Sequence, residues 1–221
     1  MIPYSPPRLD LATQKERAQA FFDEMNQRRS VRFFSDDPVP LGLIEEAIKT
    51  ASTAPSGAHK QPWTFVVTGD RDIKRQIREA AEEEERTNYE GGRIPPHWRE
   101  DLEPLGTDWH KPFLETVPWV VVLFEHRYQL DENGERRHTY YAKESAGICA
   151  GLFIAALHHM GLATLTHTPS PMKFLTRVLG RPENERPFCL FPIGYPAEDC
   201  LVPDLRRKSL DEVMIEVPTT P

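Results

Sequence analysis

Residues 140 to 160 describe a helix that is apolar on nearly every side. Ala146, Ile148, Ala150, Leu152, Ile154, Ala155 and Leu157 advance around the axis without leaving a broad polar face. A helix of that kind sits in a core or between subunits. The rest of the chain must supply what covers it.

Trp63–Thr68 and Trp119–Phe124 are short apolar, β-branched runs, and continuous apolarity marks strands buried on both faces. Residues Thr13 to Gln27 place Ala18, Phe21, Phe22 and Met25 at helical spacing behind a Thr13/Glu16 capping box. Leu41 to Ser52 puts Leu43, Ile44, Ala47, Ile48 and Ala51 on one helical face. Arg71 to Tyr89 reads as a helix, whereas the proline-rich stretch from Gly91 to Pro112 does not. Strands are expected around Ala163–Thr166 and Pro187–Ile193, with a short helix near Met172–Leu179. Such alternation predicts an α/β or α+β sandwich in a single domain over residues 1–221.

Composition narrows the function. With 27 Lys and Arg against 34 Asp and Glu, the formal charge is −7, which argues against a nucleic-acid partner. The longest apolar run, Val117 to Phe124, falls well short of the ~20 residues of a membrane crossing. Cys149, Cys189 and Cys200 form no C-x-x-C pair, so no metal site or disulfide framework is expected and a cytoplasmic location is.

Four stretches hold groups able to do chemistry. Arg28, Arg29 and Arg32 cluster around Ser30 and Val31, and guanidinium forks suit a phosphate. Ala54-Pro55-Ser56-Gly57-Ala58-His59 is a small-residue loop whose backbone can approach a flat ligand. Thr166-His167-Thr168 follows a predicted strand, where ligand crevices of open sheets lie. Glu85 and Tyr89 are four apart on one helix face. With Lys111 folded back over them, they suit an amino-acid zwitterion, Glu85 meeting its ammonium and Lys111 its carboxylate.

These stretches, together with Pro62 to Val67 and Val202 to Lys208, occur in an order that resembles the nitroreductase-like flavoproteins, from about Arg28 to Asp211. The resemblance implies an α+β sandwich, a central mixed β-sheet flanked by helices, in an intertwined homodimer with FMN contacted by both chains. By position it implies that Arg28, Arg29, Ser30, Val31, Arg32, Ser56, Thr166, His167, Thr168 and Arg207 bind FMN. Thr168 is the catalytic hydroxyl expected near flavin N5. Ala58, Glu85, Tyr89 and Lys111 are implied to bind substrate, with a lid near residues 85–112.

That last set is similar to the branch of the family that strips halogen from halotyrosines, fed by an NAD(P)H-linked donor. The position of His167 is usually threonine in that branch, and a vertebrate-type N-terminal membrane anchor is not expected here. Two other readings remain at this point: an NAD(P)H-dependent nitroreductase or flavin reductase, and a non-catalytic protein that binds flavin or halotyrosine.

Overall fold

A computed structural model of the protein describes residues 1–217. Its centre is a four-stranded sheet built from β1 (Trp63–Thr68), β2 (Trp119–His126), β5 (Ala163–Thr164) and β6 (Glu185–Gly194) in the order β1-β2-β6-β5. The ladders between these strands are antiparallel, and the parallel component is a bridge between Ser30 and Thr164. A second hairpin pairs β3 (Tyr128–Leu130) with β4 (Arg136–His138).

Strand β2 shows why the runs lack alternation. Val121 and Leu123 point into one apolar cluster, while Val120, Val122 and Phe124 point into another. Each face of the sheet is therefore dry. Helices α2 (Leu41–Ala51) and α6 (Ala142–His159) cover the first face. Helices α3 (Arg71–Tyr89), α5 (Phe113–Thr116) and α7 (Lys173–Val178) cover the second.

Helix α6 buries Ala146, Cys149, Ala150, Phe153 and Leu157, yet Ile148 stays exposed. One side faces the core and the other is uncovered in the protomer. Helix α1 (Leu11–Gln27) buries no residue at all and leaves Phe21 and Phe22 open.

Two local expectations are corrected. The N-cap of α1 is Asp10, whose carboxylate accepts from the Thr13 amide, in place of a Thr13/Glu16 box. The proline-rich stretch holds helix α4 (Pro96–Leu102) and a 3₁₀ turn at Glu103–Leu105. Proline is compatible with the first turn because an amide there has no helical acceptor to lose. The chain ends its described part in a short helix, α8 (Leu210–Val213). Among the described residues, no helix is long and apolar enough to cross a membrane.

Candidate active site

Helix α3 sets the geometry. At 3.6 residues per turn, Lys74, Arg78, Glu82, Glu85 and Tyr89 share a stripe about 80° wide. That stripe faces the segment from Thr107 to Val117. Lys74 Nζ donates to the carbonyls of Glu115 and Val117 at 2.9 and 2.7 Å. Arg78 Nη1 reaches the Glu115 carboxylate at 3.2 Å, and Glu82 accepts from the Lys111 amide at 2.7 Å.

These ties place the Lys111 side chain over Glu85 and Tyr89. Its ammonium stands 3.7 Å from the Glu85 carboxylate and 5.8 Å from the Tyr89 ring centroid, and donates to Thr107 Oγ1 at 3.2 Å and to the Asp108 carbonyl. Burial pushes the Glu85 carboxyl above its usual range, with Lys111 opposing that shift. Burial likewise pulls the Lys111 ammonium below its usual value, against the attraction of Glu85 and Asp108. The Tyr89 phenol is raised by burial and then by the Glu85 charge. Desolvation thus outweighs pairing for every member of the trio.

The trio opens on a cavity of about 350 Å³ that Arg32, Phe113, His167 and Thr168 also line. The Thr166–Thr168 stretch alternates as an extended chain does: Thr166 and Thr168 are exposed and His167 is buried between them. Backbone bonds with Leu190 at 2.8 and 3.0 Å fix that alternation. The His167 ring packs edge-on to Phe113, and its Nε2 has no partner among the described residues. Burial, then the charges of Lys111 and Arg32, push it down to about 3. It is neutral at ordinary pH, and a ring that holds a proton so weakly is a poor general base.

A second cavity of about 370 Å³ is lined by Arg28, Arg29, Ser30, Arg32 and Arg207. Arg206, which also lines it, is paired with Glu212 at 2.8 Å, whereas Arg29 and Arg207 are held by neutral oxygens. Arg29 donates to the carbonyls of Asn26 and Arg28 at 2.7 and 3.0 Å, and Arg207 donates to Asn26 Oδ1 and the Arg28 carbonyl at 3.0 and 2.7 Å. No carboxylate pairs with Arg28, Arg29 or Arg207 among the described residues. Burial and then the charges of Arg207 and Arg29 lower the Arg28 guanidinium. Such a group of unneutralised cations is built for an anion. Between the arginines, the Val31 side chain is buried in the core and its amide donates to the Thr164 carbonyl at 3.2 Å.

Ser56 and Ala58 line neither cavity. They lie in the loop after α2. Ser56 Oγ accepts there from the Gln61 amide at 2.9 Å, and Ala58, His59 and Gln61 hold left-handed backbone at φ 51, 53 and 46°. Such backbone in residues with a Cβ costs energy and is kept where a surface shape is needed. A Cβ on Gly57 would meet the Tyr140 carbonyl oxygen at 2.5 Å, so the loop is packed tightly against the start of α6.

The Nitroreductase family model matches residues 25–195. An iodotyrosine deiodinase of Haliscomenobacter hydrossis is 52% identical over 214 residues, 97% of this chain and 96% of that one. The chain belongs to the iodotyrosine deiodinase branch of the nitroreductase family. Iodotyrosine deiodinase 1 of Mus musculus is 46% identical over 98% of this chain and 76% of its own length. A crystal structure of oxidized iodotyrosine deiodinase bound to FMN and 3-iodo-L-tyrosine matches with a TM-score of 0.78 at 28% identity, covering 90% of this chain and all of that one.

Within this nitroreductase-family frame, three site residues went unnoticed in the sequence. Thr107 sits four residues before Lys111 and touches its ammonium. Asn26 lies in the last turn of α1 and holds Arg29 and Arg207 together. Glu82 belongs to an acidic run that reads as a solvated face. Glu83 fits that reading, but the α3 stripe turns Glu82 toward Lys111. Its three-residue spacing from Glu85 was the available signal.

Proposed function

We propose that this protein binds FMN and replaces the halogen of a halotyrosine with hydrogen, releasing halide and tyrosine. The observation that carries the reading is the enclosed, imperfectly paired Glu85 and Lys111 above Tyr89, in one cavity with Thr168. A zwitterion gives each of these desolvated charges a new partner. The names of the relatives, and the FMN and 3-iodo-L-tyrosine of the solved neighbour, support the same reading.

The residues present fit FMN. The cation group of Arg28, Arg29 and Arg207 around Ser30 has only neutral partners and suits a phosphate, while Arg32 borders both cavities and links that end to the Glu85–Lys111 end. Bound FMN supplies the two electrons that exchange of a carbon–halogen for a carbon–hydrogen bond requires. Thr168 lines the same cavity, where its exposed hydroxyl would be the donor to the flavin. Glu85 receives the substrate ammonium and Lys111 its carboxylate, with Tyr89 completing the clamp. Closure of residues 85–112 over the guest excludes water and strengthens each of these contacts.

The working form is a homodimer. The bare α1, the uncovered side of α6 and the Ser56–Ala58 loop remote from both cavities support a second copy that brings this loop to the first copy's flavin. The enzyme works in the cytoplasm and draws electrons from an NAD(P)H-linked donor.

The test is anaerobic reduction of the yellow holoprotein followed by 3-iodotyrosine. Flavin reoxidation with stoichiometric iodide is expected. A reduced protein that turns over a nitroaromatic but is never reoxidised by iodotyrosine would make it a nitroreductase instead. One that binds iodotyrosine without reoxidation would make it a binding protein.

A further inference from the structure

Lys111 lies at the end of a 21-residue excursion, Glu90 to His110, that leaves the end of α3. Its backbone is tied back to α3 through one carboxylate oxygen. Glu82 Oε1 accepts from the Lys111 backbone amide at 2.7 Å and from Arg78 Nε at 2.8 Å. Arg78 in turn reaches Glu115 on α5 at 3.2 Å. Through this oxygen and Arg78, the α3 stripe is joined to the end of the excursion and to α5.

We infer that Glu82 is a positioning residue for amino-acid recognition, fixing the Lys111 backbone so that its ammonium meets Glu85 and the substrate carboxylate. The inference rests on the proposed function for its substrate and on geometry for its mechanism. Glu82 and Glu85 are three residues apart on one helix, so the first holds the Lys111 main chain while the second faces its side chain. The Glu82 side chain is 16% exposed, and a charge-assisted bond from an amide to such a carboxylate is among the stronger tethers available to a loop. Other ties to α3 are Arg93 to Glu84 at 3.5 Å, Arg99 to the Tyr89 carbonyl and the Ile94 amide to the Asn88 carbonyl at 3.3 Å. None of these holds the Lys111 amide, so loss of Glu82 releases it.

A ligand-free measurement tests the tether itself. Amide hydrogen exchange at Lys111 is expected to be slow in the holoprotein and at least tenfold faster in Glu82→Ala, the loss of one charge-assisted hydrogen bond. Glu82→Gln retains an acceptor oxygen and is expected to restore slow exchange. The recognition role is read by titrating oxidised holoprotein with two ligands. Glu82→Ala should weaken 3-iodotyrosine about tenfold and leave 2-iodophenol, which has no zwitterion to clamp, within about twofold. Exchange at Lys111 unchanged in Glu82→Ala overturns the tether, whatever the protein's substrate. Faster exchange with equal losses for both ligands overturns the recognition role, since Glu82 would then merely support the fold. A parent protein that binds no iodotyrosine would remove the proposed function, while the exchange arm would still decide the tether.

Discussion

The Lys111 ammonium stands 3.7 Å from the Glu85 carboxylate, with the two side chains 4% and 15% exposed. That separation exceeds a charge-assisted hydrogen bond, so two desolvated charges face each other without satisfying each other. A zwitterionic guest improves both environments. Glu85→Gln keeps the shape and removes the charge that meets the guest's ammonium. It should weaken 3-iodotyrosine by about 10- to 100-fold, or roughly 1.5 to 3 kcal/mol. FMN should stay bound, because Glu85 is absent from the arginine cavity. Titration of the oxidised flavin spectrum checks both statements, and unchanged affinity would remove Glu85 from the clamp.

The same pair sets a pH window. The Glu85 carboxyl titrates above its ordinary 4.5 and the Lys111 ammonium below its ordinary 10.5, burial being the larger cause in each case. As pH falls, Glu85 gains a proton before an ordinary glutamate would, and the ammonium contact is lost. As pH rises, Lys111 loses its proton early, and the carboxylate contact is lost. Affinity for 3-iodotyrosine should peak between these limits. The acid limb should vanish in Glu85→Gln, which has no proton to gain. An acid limb of the same size in the variant would assign it to another group.

The arginine cavity makes a separate prediction. Arg207 ties residues 26 and 28 together through three hydrogen bonds while keeping its charge unpaired. Arg207→Ala should reduce FMN affinity by at least about tenfold, the value of one charge-assisted contact. The loss should shrink as salt rises, since salt screens the attraction in the parent protein too. Flavin retained after desalting, together with fluorescence titration of the apoprotein, measures it. A variant that holds FMN as the parent does would place the phosphate elsewhere.

Much of this architecture was legible because one force wrote it. Strand β2 had to be apolar from Trp119 to Phe124 since both sheet faces are covered there, and its run is visible without any partner. The Glu85–Tyr89 pair was visible because helical spacing alone puts the two on one face. Other features depend on backbone and context. The β3–β4 hairpin carries Arg136, Arg137 and His138, all exposed, and is held by ladder bonds and by Asp131, whose carboxylate accepts from the Asn133 and Glu135 amides. No hydrophobic pattern announces it. Glu82 looked like its solvated neighbour Glu83 because an acidic run does not say which member meets a distant amide. Lys111 could be joined to Glu85 only by chemistry or by resemblance, since spacing says nothing about how a 21-residue excursion returns. Ser56 and Ala58 posed a different problem. Sequence order cannot tell which copy's cavity a loop serves.

The bare first helix yields a prediction about assembly. Phe21 and Phe22 are 61% and 60% exposed on a helix with no buried residue, and adjacent open aromatics mark an interaction surface. The double variant Phe21→Asp, Phe22→Asp should sediment as a monomer at micromolar concentration. On the proposed assembly it should also bind FMN more weakly, since a second copy's Ser56–Ala58 loop would then be missing from the site. A variant that remains dimeric would put the interface on other elements.

His167 provides a stability test independent of any ligand. Its imidazole is enclosed and its pKa is pushed down to about 3 from 6.5, by burial first and then by Lys111 and Arg32. Above pH 6.5 the ring is neutral in both folded and unfolded chains and contributes no pH dependence. Below that, the unfolded chain takes up a proton that the folded one refuses, so stability falls with falling pH until about pH 3 is reached. Between pH 8 and pH 5 the loss from this one group is about 2 kcal/mol. His167→Thr removes the titrating ring while keeping a polar side chain at the site. The variant should lose about 2 kcal/mol less than the parent over that interval, read as unfolding free energy from denaturant titrations at the two pH values. Its absolute stability at pH 8 should be lower, because threonine leaves part of the space beside Phe113 empty. Only the difference in slope reports the imidazole, and parallel profiles for the two proteins would mean that the native ring takes up its proton as readily as the unfolded one.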